Sequence, residues 1–274
     1  MRKILIVFIS LLFFSCEQTQ FQDLDYVLIW SDEFNQAQID ERNWNFETGN
    51  GCQYGLYGWG NNEDQYYREE NASISESQFL LIESKKEQYF YNDCDGSQQV
   101  AEYTSARLNS KTKFDFKYGK VEASIKMDKA NGIWHAFWML PSFPQSTWPL
   151  SGEIDIMEQY RSNNQDKLIA AVHFGYDFIA EDYDSLTVDY FDSFHVYGLE
   201  WDLVSLRWYI DNQLVHTVYK SENQDLETNW PFDEQFHLIF NTAVGGTLGG
   251  TPTFESTKNM LVDYIRVFQK TTEQ

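Results

Sequence analysis

Val121-Glu122-Ala123-Ser124-Ile125-Lys126-Met127 decides the fold class. Val121, Ala123, Ile125 and Met127 fall on one face of an extended chain. Glu122, Ser124 and Lys126 fall on the other, the period-two signature of a half-buried strand. The same alternation recurs at 204–211, where Val204, Leu206, Trp208 and Ile210 alternate with Ser205, Arg207, Tyr209 and Asp211. At 261–268 it places Leu261, Asp263, Ile265 and Val267 opposite Val262, Tyr264, Arg266 and Phe268. Asp211-Asn212 suits a tight hairpin turn, because both residues tolerate positive φ. Further strands are predicted at 79–85, 103–113, 133–140, 153–160, 168–174, 195–202 and 236–244. No long stretch has 3.6-residue periodicity. Many short strands separated by turn signals predict an all-β sandwich or barrel; in a sandwich, two antiparallel sheets pack face to face. No linker or repeat interrupts 27–270, which reads as one domain.

The 274 residues carry 20 Lys and Arg against 42 Asp and Glu, a net charge of −22. Such a balance excludes a protein that tracks nucleic-acid phosphates, which needs a basic patch. With 17% aromatic residues the chain is not disordered either. Arg2 and Lys3 followed by the apolar run Ile4 to Phe14 read as a secretory signal, too short to span a bilayer. Ser15-Cys16 resembles the end of a lipoprotein signal. The expectation is a signal peptide over 1–15, a lipid on Cys16 as the sole membrane attachment, and a polar tether over 16–26. The mature protein is then an exported, outer-membrane-anchored monomer. Cys52 and Cys94 lie in Gly/Asn/Asp-rich loops and predict one disulfide, with two free thiols as the alternative.

The chemistry lies in Gly152-Glu153-Ile154-Asp155-Ile156-Met157-Glu158. Glu153 and Asp155 share a face of a strand, with Ile154 and Ile156 in the core. Strict alternation would bury Glu158 beside Ile154, at the cost of an unpaired carboxylate. A β-bulge near Met157 restores parity and turns all three acids into one cleft. Mutual repulsion then keeps at least one protonated. One ionised and one protonated carboxyl are what retaining glycoside hydrolysis uses, as nucleophile and proton donor. A solvated acidic edge or a cation site would carry the same motif. The neighbouring segments favour a sugar cleft: Trp134-His135-Ala136-Phe137-Trp138 and Trp148-Pro149 surround the acids with rings, and pyranose C–H faces stack on such rings.

These segments belong to a longer series: Trp30-Ser31-Asp32-Glu33-Phe34-Asn35, Trp59 to Tyr67, Tyr103 to Leu108, Tyr118 to Glu122, Phe137 to Pro141, Gly152 to Glu158, Trp230-Pro231-Phe232, Asn241 to Gly246 and Val262 to Val267. Nine segments in this order resemble glycoside hydrolase family sixteen, the laminarinase-like β-glucanases. The resemblance implies a β-jelly-roll with a concave substrate cleft and no organic cofactor. It assigns Glu153 as nucleophile, Asp155 as the assisting acid and Glu158 as acid/base. It places Asn61, Glu63, Arg107, Trp134, Trp138, His173 and Trp230 along the cleft. It further implies a structural Ca²⁺ held through Glu33 and Asp263 with backbone carbonyls. Two departures stand out: His135 replaces a Pro near the cleft, and Ser77-Gln78 replaces a Gly beside the calcium position.

The bulged motif fits laminarinase-type members, and the implied substrate is a β-1,3-glucan or a mixed β-1,3/1,4-glucan. Hydrolases of agar, porphyran or carrageenan share the bulged form. A glycan-binding protein that no longer catalyses would keep the scaffold without needing three repelling acids.

Overall fold

Seventeen strands account for most of the described chain. They are β1 (Tyr26–Asp32), β2 (Asn45–Phe46), β3 (Gln65–Tyr67), β4 (Ala72–Ile74), β5 (Leu80–Asn92), β6 (Gln98–Ser105), β7 (Arg107–Asn109), β8 (Gly119–Met127) and β9 (Ile133–Pro141). There follow β10 (Glu153–Ser162), β11 (Gln165–Phe174), β12 (Asp177–Asp182), β13 (His195–Trp201), β14 (Ser205–Ile210), β15 (Gln213–Tyr219), β16 (Phe236–Val244) and β17 (Lys258–Lys270). The structure, a computed structural model, describes residues 26–175, 177–182, 193–220 and 230–271. The expected signal peptide, Cys16 and all but the last residue of the tether lie outside them.

The strands form two sheets. The larger runs β15-β14-β13-β8-β17-β5-β6-β3, with β1 added to β17 and β4 to β5. The smaller runs β12-β11-β10-β9-β16-β7-β2. Pairing is antiparallel except between β3 and β6, which run parallel. The fold is a jelly-roll sandwich, as expected.

Between the sheets lies one core. Leu80, Ile82, Val121, Ile125, Met260 and Val262 of the larger sheet meet Phe137, Met139, Ile154, Leu238 and Phe240 of the smaller. Val121, Ala123, Ile125 and Met127 of β8 all face inward, as the alternation requires. The outward Glu122 pairs with Lys120 at 2.9 Å.

Three readings are corrected. The segment 103–113 is two strands, not one: the chain passes from the larger sheet to the smaller at the buried Ala106, between β6 and β7. Val204 is exposed and precedes β14, in a turn where Asp202 Oδ1 accepts from the Val204 and Ser205 amides. On β17 the inward residues are Met260, Val262, Ile265 and Val267, not Leu261 and Asp263. A register shift between Val262 and Tyr264 against β8 inserts Asp263 and reverses the parity. The bulge keeps that carboxylate out of the core.

Cys52 and Cys94 form the expected disulfide, with Cα atoms 6.0 Å apart. It ties the loop before β3 to the β5–β6 turn. In the chain-entropy account this closure is worth ~4 kcal/mol. The Cys52→Ser/Cys94→Ser protein is therefore expected to melt about 10 °C lower. A shift under 2 °C in calorimetry would show that the loops need no covalent tie.

Candidate active site

The smaller sheet presents its outer face as a cleft crossed by β7, β16, β9, β10 and β11. Gly152 immediately precedes β10 at φ 87°, and a Cβ there would stand 2.8 Å from Pro231 Cγ. Only glycine fits this entry. Three residues on, both ladders slip. Asp155 pairs with Trp138 and Met157 with Phe137, skipping Ile156. On the other side Asp155 pairs with Ala171 and Glu158 with Ile169. Ile156 and Met157 both enter the core. Glu158 is thereby released to the face that carries Glu153 and Asp155, as the parity argument requires.

Each acid has a distinct partner. Trp148 Nε1 donates to Glu153 Oε2 at 2.8 Å. Trp134 Nε1 donates to Glu158 Oε1 at 2.8 Å. His173, opposite Glu153 on β11, puts Nε2 3.1 Å from Asp155 Oδ2 and 3.7 Å from Glu153 Oε1. Burial raises all three carboxyls, and mutual repulsion adds to it for Glu153 and Glu158. Glu153 is pushed up to about 8, by burial and then by Asp155. Asp155 is also pushed up to about 8, by burial. Glu158 is likewise held well above the ordinary carboxyl range, by burial and then by Asp155 and Glu153. The cluster therefore holds shared protons near neutrality and cannot carry three charges at once.

These shifts have a consequence for stability. The folded-state values lie above the unfolded ones, so the fold favours the protonated acids. Their contribution is full below the ordinary carboxyl range near pH 4 and is lost as pH rises through about 8. Glu158→Gln should therefore raise Tm at pH 8 and leave it unchanged at pH 4, as calorimetry at the two pH values would read. Equal shifts at both pH values would show that the cluster is not strained by charge.

A second polar system forms the opposite wall. Trp138 Nε1 donates to Asn241 Oδ1 at 2.7 Å, and Asn241 Nδ2 to the Tyr67 hydroxyl at 3.0 Å. Tyr67 donates to Glu63 Oε2 at 3.1 Å, which also accepts from Gln65 Nε2 at 2.6 Å. Asn61 Nδ2 donates to Glu63 Oε1 at 3.2 Å. Burial raises the Glu63 carboxyl despite these donors. The Arg107 guanidinium lies between the Trp59 and Trp138 rings, 4.6 and 4.8 Å from their centroids. Its Nε bonds Glu47 Oε2 at 2.5 Å. Burial works against the Glu47 charge, but Arg107 overcomes it and holds that carboxyl below its ordinary range.

The cleft thus has ring walls, a floor of three acids sharing protons, and amide and hydroxyl donors at one side. The profile of glycosyl hydrolases family 16 matches residues 59–266. The chain belongs to this family. The β-glucanase of Rhodothermus marinus is 35% identical over 259 residues, covering 88% of this chain and 85% of that protein. The glucan endo-1,3-beta-glucosidase of Cryptopygus antarcticus is 34% identical over 249 residues, covering 85% and 86%. Among solved structures, the laminarinase catalytic domain of Thermotoga maritima superposes with a TM-score of 0.81 at 40% identity, over 90% of this chain and all of that one.

In this family 16 hydrolase, Asn61, Glu63, Arg107, Trp134, Trp138 and His173 stand at the cleft with the three acids. Arg107 differs from expectation in being paired with Glu47 and stacked between rings, rather than reaching out as a simple donor. Trp230 is corrected. It is 8% exposed and packs in the core against Phe174 and Phe232, with ring centroids 6.4 and 4.8 Å away. His135 turns away from the cleft: it is buried, with Nδ1 2.7 Å from Thr242 Oγ1 and Nε2 2.9 Å from the Asp128 carbonyl. Burial lowers it to about 4, so it is a neutral spacer inside the sandwich.

Nor do Glu33 and Asp263 form the pair expected for calcium. Both Glu33 oxygens accept from Arg266, from Nε at 2.9 Å and Nη2 at 2.7 Å. A carboxylate already neutralised in this way does not fit a cation site. Asp263 lies at the β17 bulge, between Val262 and Tyr264.

Sequence reasoning missed three contributors. Glu47 balances Arg107 from 60 residues away, and nothing local announces that. Trp148 was visible as a nearby ring, but not as the donor to Glu153. Trp208 was visible only as a core residue. Its Nε1 crosses from the larger sheet to donate to the Asp155 carbonyl at 2.9 Å.

Proposed function

We propose that the protein is a retaining, endo-acting glycoside hydrolase that cleaves β-1,3-glucan of the laminarin type or mixed β-1,3/1,4-glucan. Glu153 attacks the anomeric carbon while Glu158 protonates the leaving oxygen. Glu158 then deprotonates the water that releases the sugar. Asp155, with His173 against its Oδ2, tunes the charge of Glu153. Trp138 supplies a stacking face, and Asn61 and Glu63 meet sugar hydroxyls. The observation that carries this reading is the β10 bulge, which gives three shared-proton acids to one cleft.

Two considerations support a neutral glucan. The relatives named above carry glucanase names. The cation at the cleft wall, Arg107, is already balanced by Glu47, so a sulfated galactan would meet acids in place of cations. Assay of laminarin, lichenan, agarose and carrageenan with product sizing tests the reading. Early release of mixed oligosaccharides from laminarin is expected. Turnover of agarose or carrageenan alone would replace the substrate, and no turnover of any would favour a binding protein.

The export reading goes with this function: residues 1–15 as signal peptide, a lipid on Cys16 and anchorage at the outer membrane. The run Ile4 to Phe14 supports it. Among the described residues no helix is long and apolar enough to cross a membrane. Cys16→Ser should move the protein from the membrane to the soluble fraction; unchanged fractionation would remove the lipid.

A further inference from the structure

The β10 bulge is held from beneath as well as by its neighbours. At Asp155 the ladders to β9 and β11 both slip. There the Asp155 carbonyl is turned out of the sheet into the sandwich, where Trp208 Nε1 reaches it from β14 at 2.9 Å. Trp208 is 1% exposed, and a carbonyl at that depth needs a donor. Apolar packing has no direction of its own: Ile156, Met157, Leu168, Tyr197 and Ile210, all buried around Trp208, do not select where the carbonyl points. The indole N–H supplies a directional restraint at the point where two residues must share one register position.

We propose that Trp208 is a positioning residue for catalysis: through the Asp155 carbonyl it locks the bulge that aims Glu158 into the cleft and sets its place relative to Glu153. It touches no substrate. The inference rests on the roles given above to Glu153 and Glu158. Loss of the donor lets the bulge relax, and the residue that moves most is Glu158, which follows the inserted position. Glu153 precedes the bulge and keeps its Trp148 contact. Proton donation should therefore suffer more than nucleophilic attack.

Leaving-group dependence separates the two. An aryl glucoside with a dinitrophenolate leaving group needs no proton; a laminari-oligosaccharide does. Trp208→Phe keeps a buried ring and removes the N–H. Its kcat on the oligosaccharide is expected to fall about ten- to hundredfold, the scale of a small misplacement of a reacting group. KM should stay within twofold, and the pre-steady-state burst of dinitrophenolate, which reports the first step alone, should remain within threefold of the parent rate, while turnover after the burst slows because the same Glu158 acts as base. If Trp208→Phe does not fold, incorporation of the benzothiophene isostere of tryptophan at 208 removes only the donor and leaves the shape. Equal losses in the oligosaccharide kcat and in the dinitrophenolate burst rate, or no loss in either, would overturn the proposal. Failure of the hydrolase reading itself would show separately, as a parent protein that cleaves neither.

Discussion

Glu153→Gln is expected to lower kcat on laminarin by at least about 10⁴-fold, with KM within threefold and Tm unchanged or higher. The amide matches the carboxyl in shape and still accepts from Trp148 Nε1, which donates to Glu153 at 2.8 Å. It cannot bond to an anomeric carbon. Losing a nucleophile removes the covalent route entirely, and knock-outs of such groups elsewhere cost in this range or more. Binding should survive, because the ring walls and the hydrogen-bonded Asn61–Glu63 pair are untouched. Above neutral pH the variant should also be more stable, since a buried carboxyl pushed up to about 8 no longer has to ionise. A purified variant within tenfold of the parent would remove Glu153 from the chemistry.

Glu158→Gln is the second large effect, and it should have a different shape. Loss of a general acid costs about 10²–10⁴-fold on a substrate whose leaving group is another sugar. On a dinitrophenyl glucoside the first step needs no acid, so a burst of dinitrophenolate should appear at nearly the parent rate. Release of the sugar, which needs Glu158 as base, should then be slow. The burst amplitude should approach one per enzyme. The pH profile should lose its alkaline limb, because the acid that must stay protonated is gone. Proportional losses on both substrates, with no burst, would mean that Glu158 is a structural acid held by Trp134.

How far the sequence carries these assignments depends on the distance between the groups involved. The β10 bulge was legible because the argument is local: five residues after Glu153, strict alternation would have put Glu158 beside Ile154. The β17 bulge carries the same signal, since alternation sets Asp263 with Ile265 and Val267. It went unread because both faces of that segment hold apolar residues and the core face was ambiguous. Arg107 was visible, but its charge partner Glu47 and the flanking Trp59 ring come together only through the fold. Glu33 meets Arg266 across 233 residues, and no spacing rule points to that pair. The Trp230-Pro231-Phe232 motif was legible as a segment, not as core; Trp230 packs on Phe174, whose position depends on the parity of β11.

The same contrast holds at the level of the site. Which side chains share a strand face follows from period two plus one bulge. Which hydrogen bond orients each acid requires residues from β9, β11, β14 and the loop before β10, and these converge only when both sheets are in place.

The central claim is that the bulge gives Glu153 and Glu158 opposite tasks on opposite sides of one sugar. Azide rescue tests it most directly, because a small anion replaces whichever carboxylate is missing and the product records where it entered. With an activated aryl glucoside, Glu153→Ala plus azide should yield the α-glucosyl azide, from attack in the empty nucleophile position. Glu158→Ala plus azide should yield the β-glucosyl azide, from attack on the covalent intermediate. The reverse pattern, or β-azide from both variants, would contradict the account.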